Sequence, residues 1–172
     1  MFSAGSPLRV EHADFRGALR VLDVASGLGA AAIAAARLGH SVTAVDGGRC
    51  MRDIARRNFV ANGVDVELVD ADICSAAALG GREFDLFLVS QVAYDKSFAR
   101  CVQRFIERLA APGAEVVWAE PEVFRRGWEL DAMVWRAAGP ASWSLEQRLN
   151  DTAVGGNPFV QHTTIDIWRM AN

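Results

Sequence analysis

The chain is short of the residues that build metal sites, disulfide frameworks and membrane spans. Among its 172 residues are only three cysteines, Cys50, Cys74 and Cys101, and three widely separated histidines. No Cys-x-x-Cys pair occurs. An odd, scattered set of thiols predicts reduced cysteines in an intracellular protein and no metal site. No apolar run approaches the roughly eighteen residues a bilayer span needs, and the N-terminus lacks the basic start and long apolar segment of a secretion signal. The net charge of −3 exerts no global pull on nucleic acid or on an anionic membrane. Internal repeats and low-complexity tracts are absent as well. These absences leave a soluble, cytoplasmic protein, and the length fits one domain with a substantial core.

What is present centres on the stretch from Val21 to Ala36. A short apolar strand ends in Asp23-Val24, the small residues Ala25-Ser26-Gly27-Leu28-Gly29 make a turn, and the alanine run from Ala30 starts a helix at once. Without side chains at Gly27 and Gly29, a ligand lies directly against the backbone, facing the free amides of the helix start. Gly27-x-Gly29-x-x-Ala32 also satisfies the dinucleotide fingerprint, which keeps a nicotinamide enzyme open as a reading. Asp23 weighs against it. A carboxylate beside the loop repels a pyrophosphate and attracts a ligand carrying an ammonium or sulfonium group.

Further along, strand and helix signals alternate. A lead-in over residues 1–18 precedes strands at Leu19 to Val24, Ser41 to Val45, Val64 to Val69, Phe84 to Ser90 and Glu115 to Ala119. Helices are predicted from Leu28 to Leu38, Arg49 to Asn62 and Ser97 to Leu109, the second with Met51, Ile54 and Phe59 on its buried stripe and its arginines solvated. Ala111-Pro112-Gly113 reads as a break. A helix from Val123 to Ala138 and two closing strands, Ala141 to Arg148 and Thr163 to Arg169, joined by a Gly155 to Pro158 loop, complete the pattern. This is α/β: a Rossmann-like, doubly wound, seven-stranded sheet, mostly parallel, with an antiparallel C-terminal hairpin.

Acids recur where neighbouring strands end. Asp46, followed by Gly47, stands close to the spacing at which nucleotide-binding folds place a carboxylate on ribose hydroxyls. Asp72 is placed to accept from the exocyclic amine of an adenine with Ile73 packing on the ring, and Asp70 competes for that role. Ser90 and the residues beyond it, at the end of the central strand, face the ligand crevice.

These residues together resemble the class I S-adenosylmethionine-dependent methyltransferases, over nearly the whole chain. Asp23 to Gly29 match the first motif, with Ala25 in place of its first glycine; Asp46 matches the ribose acid, Asp72-Ile73 the adenine end and Ser90 the fourth strand. Within the superfamily, Leu22 to Gly27 with Ala32 to Ala35, Tyr94-Asp95, Glu120-Pro121 and Thr163 to Trp168 are similar to the lysine methyltransferases of the electron-transfer flavoprotein β subunit and of ribosomal protein L11. The resemblance implies S-adenosyl-L-methionine as cofactor and a protein lysine or small amine as methyl acceptor, with Gln91, Tyr94 and Asp95 as catalytic candidates and Glu120 beside them. It implies that Asp23, Ala25, Gly27, Gly29, Asp46, Gly47, Asp72, Ile73 and Ser90 hold the cofactor.

Two departures qualify this. Ala25 is expected to need only an ordinary backbone conformation. Gln91 stands where the lysine-modifying relatives carry an acid three residues before the aromatic, so it orients an amine through its amide but accepts no proton. The alternative is therefore a catalytically weak or inactive methyltransferase-like binding module. The start is short for the family, so the expectation is that a second copy of the chain or a partner covers the crevice, that catalysis is lost, or that the sequence is part of a longer chain.

Overall fold

The computed structural model describes residues 17–75, 79–121, 143–150 and 163–170. Chain order runs β1 (Arg20–Val24), α1 (Ala30–Arg37), β2 (Ser41–Asp46), α2 (Arg49–Asn62), β3 (Glu67–Asp70), β4 (Phe84–Ser90), α3 (Lys96–Leu109), β5 (Ala110–Pro121), β6 (Trp143–Asn150) and β7 (Thr163–Met170). All seven strands form one sheet in the order β3-β2-β1-β4-β5-β7-β6. The first five are parallel, and β7 runs antiparallel to both β5 and β6. This is the predicted Rossmann-like α/β architecture with its antiparallel C-terminal hairpin.

Alternation along the strands explains why both faces are covered. Leu22 and Val24 of β1, Val45 of β2 and Phe87 and Val89 of β4 join one apolar cluster with Val102, Phe105, Ile106 and Leu109 of α3. Val21, Val42 and Ala44 point the other way and meet Ala32 and Ala35 of α1 with Ala55 and Phe59 of α2. A strand buried on both faces reads as an unbroken apolar run, which is how β4 was visible in the sequence. Because β1 leads outward to β2 and β3 on one side while β4 and β5 extend the other, the crevice opens at the C-terminal ends of β1 and β4.

Several local expectations are corrected. The helix stops at Leu109, just before Ala111-Pro112-Gly113 as expected, but β5 starts at Ala110, five residues ahead of the predicted Glu115. Phe84 pairs with Ala110 and the ladder resumes at Leu86 with Glu115, so the extra residues are absorbed as an irregularity inside one long strand. Met51 and Ile54 are exposed, and the buried residues of α2 are Ala55 and Phe59. Arg52 is not solvated: it donates to the Asp46 carbonyl at 2.9 Å and to Asp70 at 2.6 Å. Cys74 and Cys101 are not free thiols but a disulfide that ties the segment after β3 to α3, with Cα atoms 4.9 Å apart. Of the three cysteines only Cys50 is free. The expected lead-in before Gly17, the helix from Val123 to Ala138 and the loop from Gly155 to Pro158 lie outside the described residues. Among those described, no helix is long and apolar enough to cross a membrane.

Candidate active site

The loop between β1 and α1 turns by placing every second residue in the left-handed region: Ala25 at φ 55°, Gly27 at φ 53° and Gly29 at φ 78°. Ala25 therefore departs from the ordinary backbone expected of it. Its Cβ sits in a conformation that costs a non-glycine residue roughly 1–2 kcal/mol. The two glycines differ in kind. A Cβ at Gly29 would lie 2.4 Å from Phe59 Cε1, so the missing side chain at Gly29 lets α1 close on α2. A Cβ at Gly27 would meet nothing within 4 Å; that is the open position of the loop.

Three strand-end carboxylates surround this bend in different states. Asp23 is 4% exposed, and its Oδ2 accepts the Ala32 N–H at 3.0 Å. Burial, with a smaller push from the Asp46 charge, raises its pKa to about 7 against the pull of the Ala32 bond. Asp46 accepts from Gly27 N at 2.9 Å and from Gly48 N at 2.7 Å, one bond to each oxygen. An ionised carboxylate has about four lone-pair sites, so two remain for ligand hydroxyls. Asp72 accepts from Cys74 N at 2.9 Å. Asp70, its rival in the sequence, is turned to Arg52 instead.

A cavity of about 520 Å³ opens over these strand ends. Of the residues expected from the sequence, it gathers Ala25, Asp46, Gly47, Asp72, Ile73, Ser90, Gln91 and Tyr94. Asp23, Gly27, Gly29 and Asp95 are not in its wall. Asp95 caps α3, accepting from Phe98 N at 2.8 Å and from the Ser97 hydroxyl, and these hydrogen bonds lower its pKa. Gly48, Met51, Ala71, Val92 and Phe98 join the wall without having been singled out. Met51 is exposed where the stripe of α2 predicts burial, and Phe98 packs partly against the core; each is an apolar residue in the first turn of a helix that starts at the crevice. Tyr94, 59% exposed, stacks on Phe98 with ring centroids 6.1 Å apart at the rim.

Glu120 is buried behind the rim. Its Oε1 accepts from Val92 N at 2.7 Å, Ala93 N at 2.9 Å and Trp118 Nε1 at 3.0 Å. Burial raises its pKa against those three donors. Among the described residues no group of three or more His, Cys, Asp or Glu side chains is placed to hold a metal ion.

An open glycine position, Asp46 with acceptor capacity to spare, and Asp72 beside Ile73 stand together at the switch point of a parallel sheet. Residues 21–113 match the family model described as a methyltransferase domain, and the chain belongs to that family, as a class I S-adenosylmethionine-dependent methyltransferase. Solved structures agree on the fold. N-methyltransferase NodS from Bradyrhizobium japonicum WM9, in complex with S-adenosyl-L-homocysteine, is similar with a TM-score of 0.70 at 18% identity, over 91% of this chain and 80% of that one. Ribosomal protein L11 methylase from Lactobacillus delbrueckii subsp. bulgaricus gives 0.67 at 21%, over 91% and 72%. A S-adenosylmethionine-dependent methyltransferase from Clostridium acetobutylicum ATCC 824 gives 0.67 at 10%, over 89% and 84%. No protein of curated function matches the sequence.

The wall fits the cofactor. The cavity lies within the roughly 300–1,000 Å³ of small-molecule sites, and Asp46 in its wall keeps acceptor capacity for two hydroxyls.

Proposed function

We propose that this methyltransferase acts on a nitrogen, of a protein lysine or a small amine, in the manner of the electron-transfer flavoprotein β-subunit and ribosomal protein L11 enzymes. The supporting observation is the meeting of Gln91 and Tyr94 with Asp46, Asp72 and Ile73 in one cavity wall. Similarity in fold to an N-methyltransferase and to a ribosomal protein L11 methylase supports the same acceptor chemistry. The bound cofactor supplies a sulfonium methyl, an electrophile that needs no further activation.

Each residue has a role that follows from its position. Asp46 accepts the ribose hydroxyls while its bonds to Gly27 and Gly48 keep it aimed. Asp72 accepts from the adenine amine and Ile73 covers the ring. Asp23, beneath the loop, contributes through the Ala32 amide and through its field. At the acceptor end the Gln91 amide oxygen accepts an N–H of the incoming amine, and the Tyr94–Phe98 stack keeps water from its approach. Catalysis on this reading is positioning for in-line displacement. A lysine with a reference pKa near 10.4 sheds its proton at a cost of about 4–5 kcal/mol at neutral pH, and Gln91 does not take that proton. An amine already neutral at pH 7 avoids the cost.

Gln91 also favours a second reading, a module that binds the cofactor without turnover. Calorimetry with S-adenosylmethionine, S-adenosylhomocysteine and NAD, followed by a labelled-methyl screen on cell extract, separates the two. Tight binding of the first two with label entering protein or small amines supports the enzyme; binding without label supports the module; binding of NAD alone removes both.

A further inference from the structure

Glu120 is the least exposed carboxylate near the site, at 2%, and it does not line the cavity. Its Oε1 is saturated by three N–H donors, two of them the consecutive amides of Val92 and Ala93. Its Oε2 is buried with no partner among the described residues. One residue earlier on the same strand, the Ala119 carbonyl accepts the Gln91 N–H at 3.0 Å. Ala119 and Glu120 thus hold three successive amides of the turn that leaves β4.

That turn carries an unusual backbone. Gln91 sits at φ 54°, in the left-handed region where a residue with a Cβ is strained. Strain of this kind persists only where surrounding bonds over-determine it, and here the surrounding bonds come from β5. The turn also sets where the acceptor-facing groups stand, because Gln91 and Tyr94 flank the two amides that Glu120 holds. Burying a carboxylate with an unpartnered oxygen is costly. Packing alone gives no reason to keep one here, since the backbone needs only an acceptor.

We propose that Glu120 is the positioning residue of the methyl-acceptor site: through Val92 and Ala93 it locks the turn after β4 so that Gln91 and Tyr94 converge on the point of transfer. This rests on the methyltransferase reading of the cavity and extends it to a residue outside the wall. Glu120 touches neither cofactor nor acceptor and moves no proton.

The test compares Glu120→Gln, Glu120→Asp and Glu120→Ala, with folding verified by circular dichroism. Gln keeps an acceptor oxygen at the same reach; Asp withdraws it by one methylene; Ala removes it. Affinity for S-adenosylhomocysteine is expected to stay within threefold in all three. Label transfer from S-adenosylmethionine to cell-extract protein is expected to fall at least thirtyfold in Ala and tenfold in Asp, and to stay within threefold in Gln. Tyr94 is the only tyrosine, so 3-fluorotyrosine gives one fluorine resonance that reports the turn without any turnover. That line is expected to match wild type in Gln and to shift or broaden in Asp and Ala.

Wild-type transfer and an unmoved fluorine line in Ala and Asp would overturn the proposal. So would a Gln variant as impaired as Ala, or losses confined to cofactor affinity. If wild type itself fails to bind S-adenosylhomocysteine, the reading of the cavity is what fails, and the fluorine line still decides whether Glu120 holds the turn.

Discussion

Gly27 donates its backbone N–H to Asp46 Oδ2 at 2.9 Å, so the open glycine of the first loop and the acid of the second strand form one unit. The other Asp46 oxygen takes the Gly48 amide, which begins α2. One carboxylate therefore aligns two loops at the cavity over the strand ends.

Asp46→Asn tests that unit. An amide offers a single acceptor oxygen and turns two N–H donors toward a backbone donor, leaving one loop amide unpaired. Affinity for S-adenosylhomocysteine is expected to drop at least tenfold by calorimetry. Urea unfolding should show a loss of about 1–2 kcal/mol, the usual penalty for a stranded partner. Unchanged affinity would show that Asp46 serves the loops alone.

Two substitutions in the loop should move stability in opposite directions. Ala25→Gly removes a Cβ from a left-handed position, and a gain of about 0.5–1 kcal/mol in urea melts is expected after the added freedom of the unfolded chain is counted. Gly29→Ala puts a Cβ 2.4 Å from the Phe59 ring at φ 78° and should lose about 2–3 kcal/mol through strain and overpacking. If both variants lose stability equally, the contrast drawn between the positions is wrong.

How far the sequence reached follows from the same residues. Periodicity located β4 and the full length of α2, because a two-face-buried strand and a long helix leave signals that no loop imitates. That Asp46 and Asp72 come together in one cavity wall was legible, since strand ends in a parallel sheet share one edge. Backbone angles were not: nothing in Ala25-Ser26-Gly27 distinguishes a left-handed alanine from an ordinary one, and Gly29 reveals its packing role only once Phe59 of α2 lies against it. Cys74 and Cys101, separated by 27 residues, meet because the segment after β3 packs into one apolar cluster with α3, Ala71 and Ile73 joining Val102 and Phe105, which no spacing rule encodes. The resemblance puts Glu120 beside the acceptor, but its partners, the amides of Val92 and Ala93, come from a different strand end and it stays out of the cavity wall.

Asp23 gives stability a pH dependence of defined sign. Its carboxyl titrates near 3.8 as a free group and near 7 in the fold, so between those values the native state keeps a proton that the unfolded chain has lost. Stability from this group is full below about pH 3.8 and declines as pH rises to about 7. The decline amounts to something on the order of 4 kcal/mol at 1.36 kcal/mol per pK unit. Asp23→Asn removes it while retaining an acceptor for Ala32 N. The variant's stability relative to wild type is expected to rise by at least about 1.5 kcal/mol between pH 4.5 and pH 7.5, even as it binds cofactor more weakly. A difference that stays flat with pH would place the Asp23 pKa in the ordinary carboxylate range.

The disulfide supplies a last expectation, because both its ends adjoin the cavity. Cys74 follows Ile73, and Cys101 lies one helical turn beyond Phe98; Ile73 and Phe98 are both in the wall. Reducing the bond releases a loop of 27 residues, for which chain-entropy arguments give about 3.5 kcal/mol of lost stability. It also lets the Asp72-Ile73 side of the cavity drift from α3, so S-adenosylhomocysteine should bind about three- to tenfold more weakly, a change worth roughly 0.7–1.4 kcal/mol. Calorimetry before and after dithiothreitol measures that change, and a Cys74→Ser, Cys101→Ser double variant should bind as weakly as the reduced protein and ignore the reductant. Alkylation and mass spectrometry of the untreated protein should label Cys50 alone. Three labelled cysteines, with binding indifferent to dithiothreitol, would show that the clamp does not form in solution.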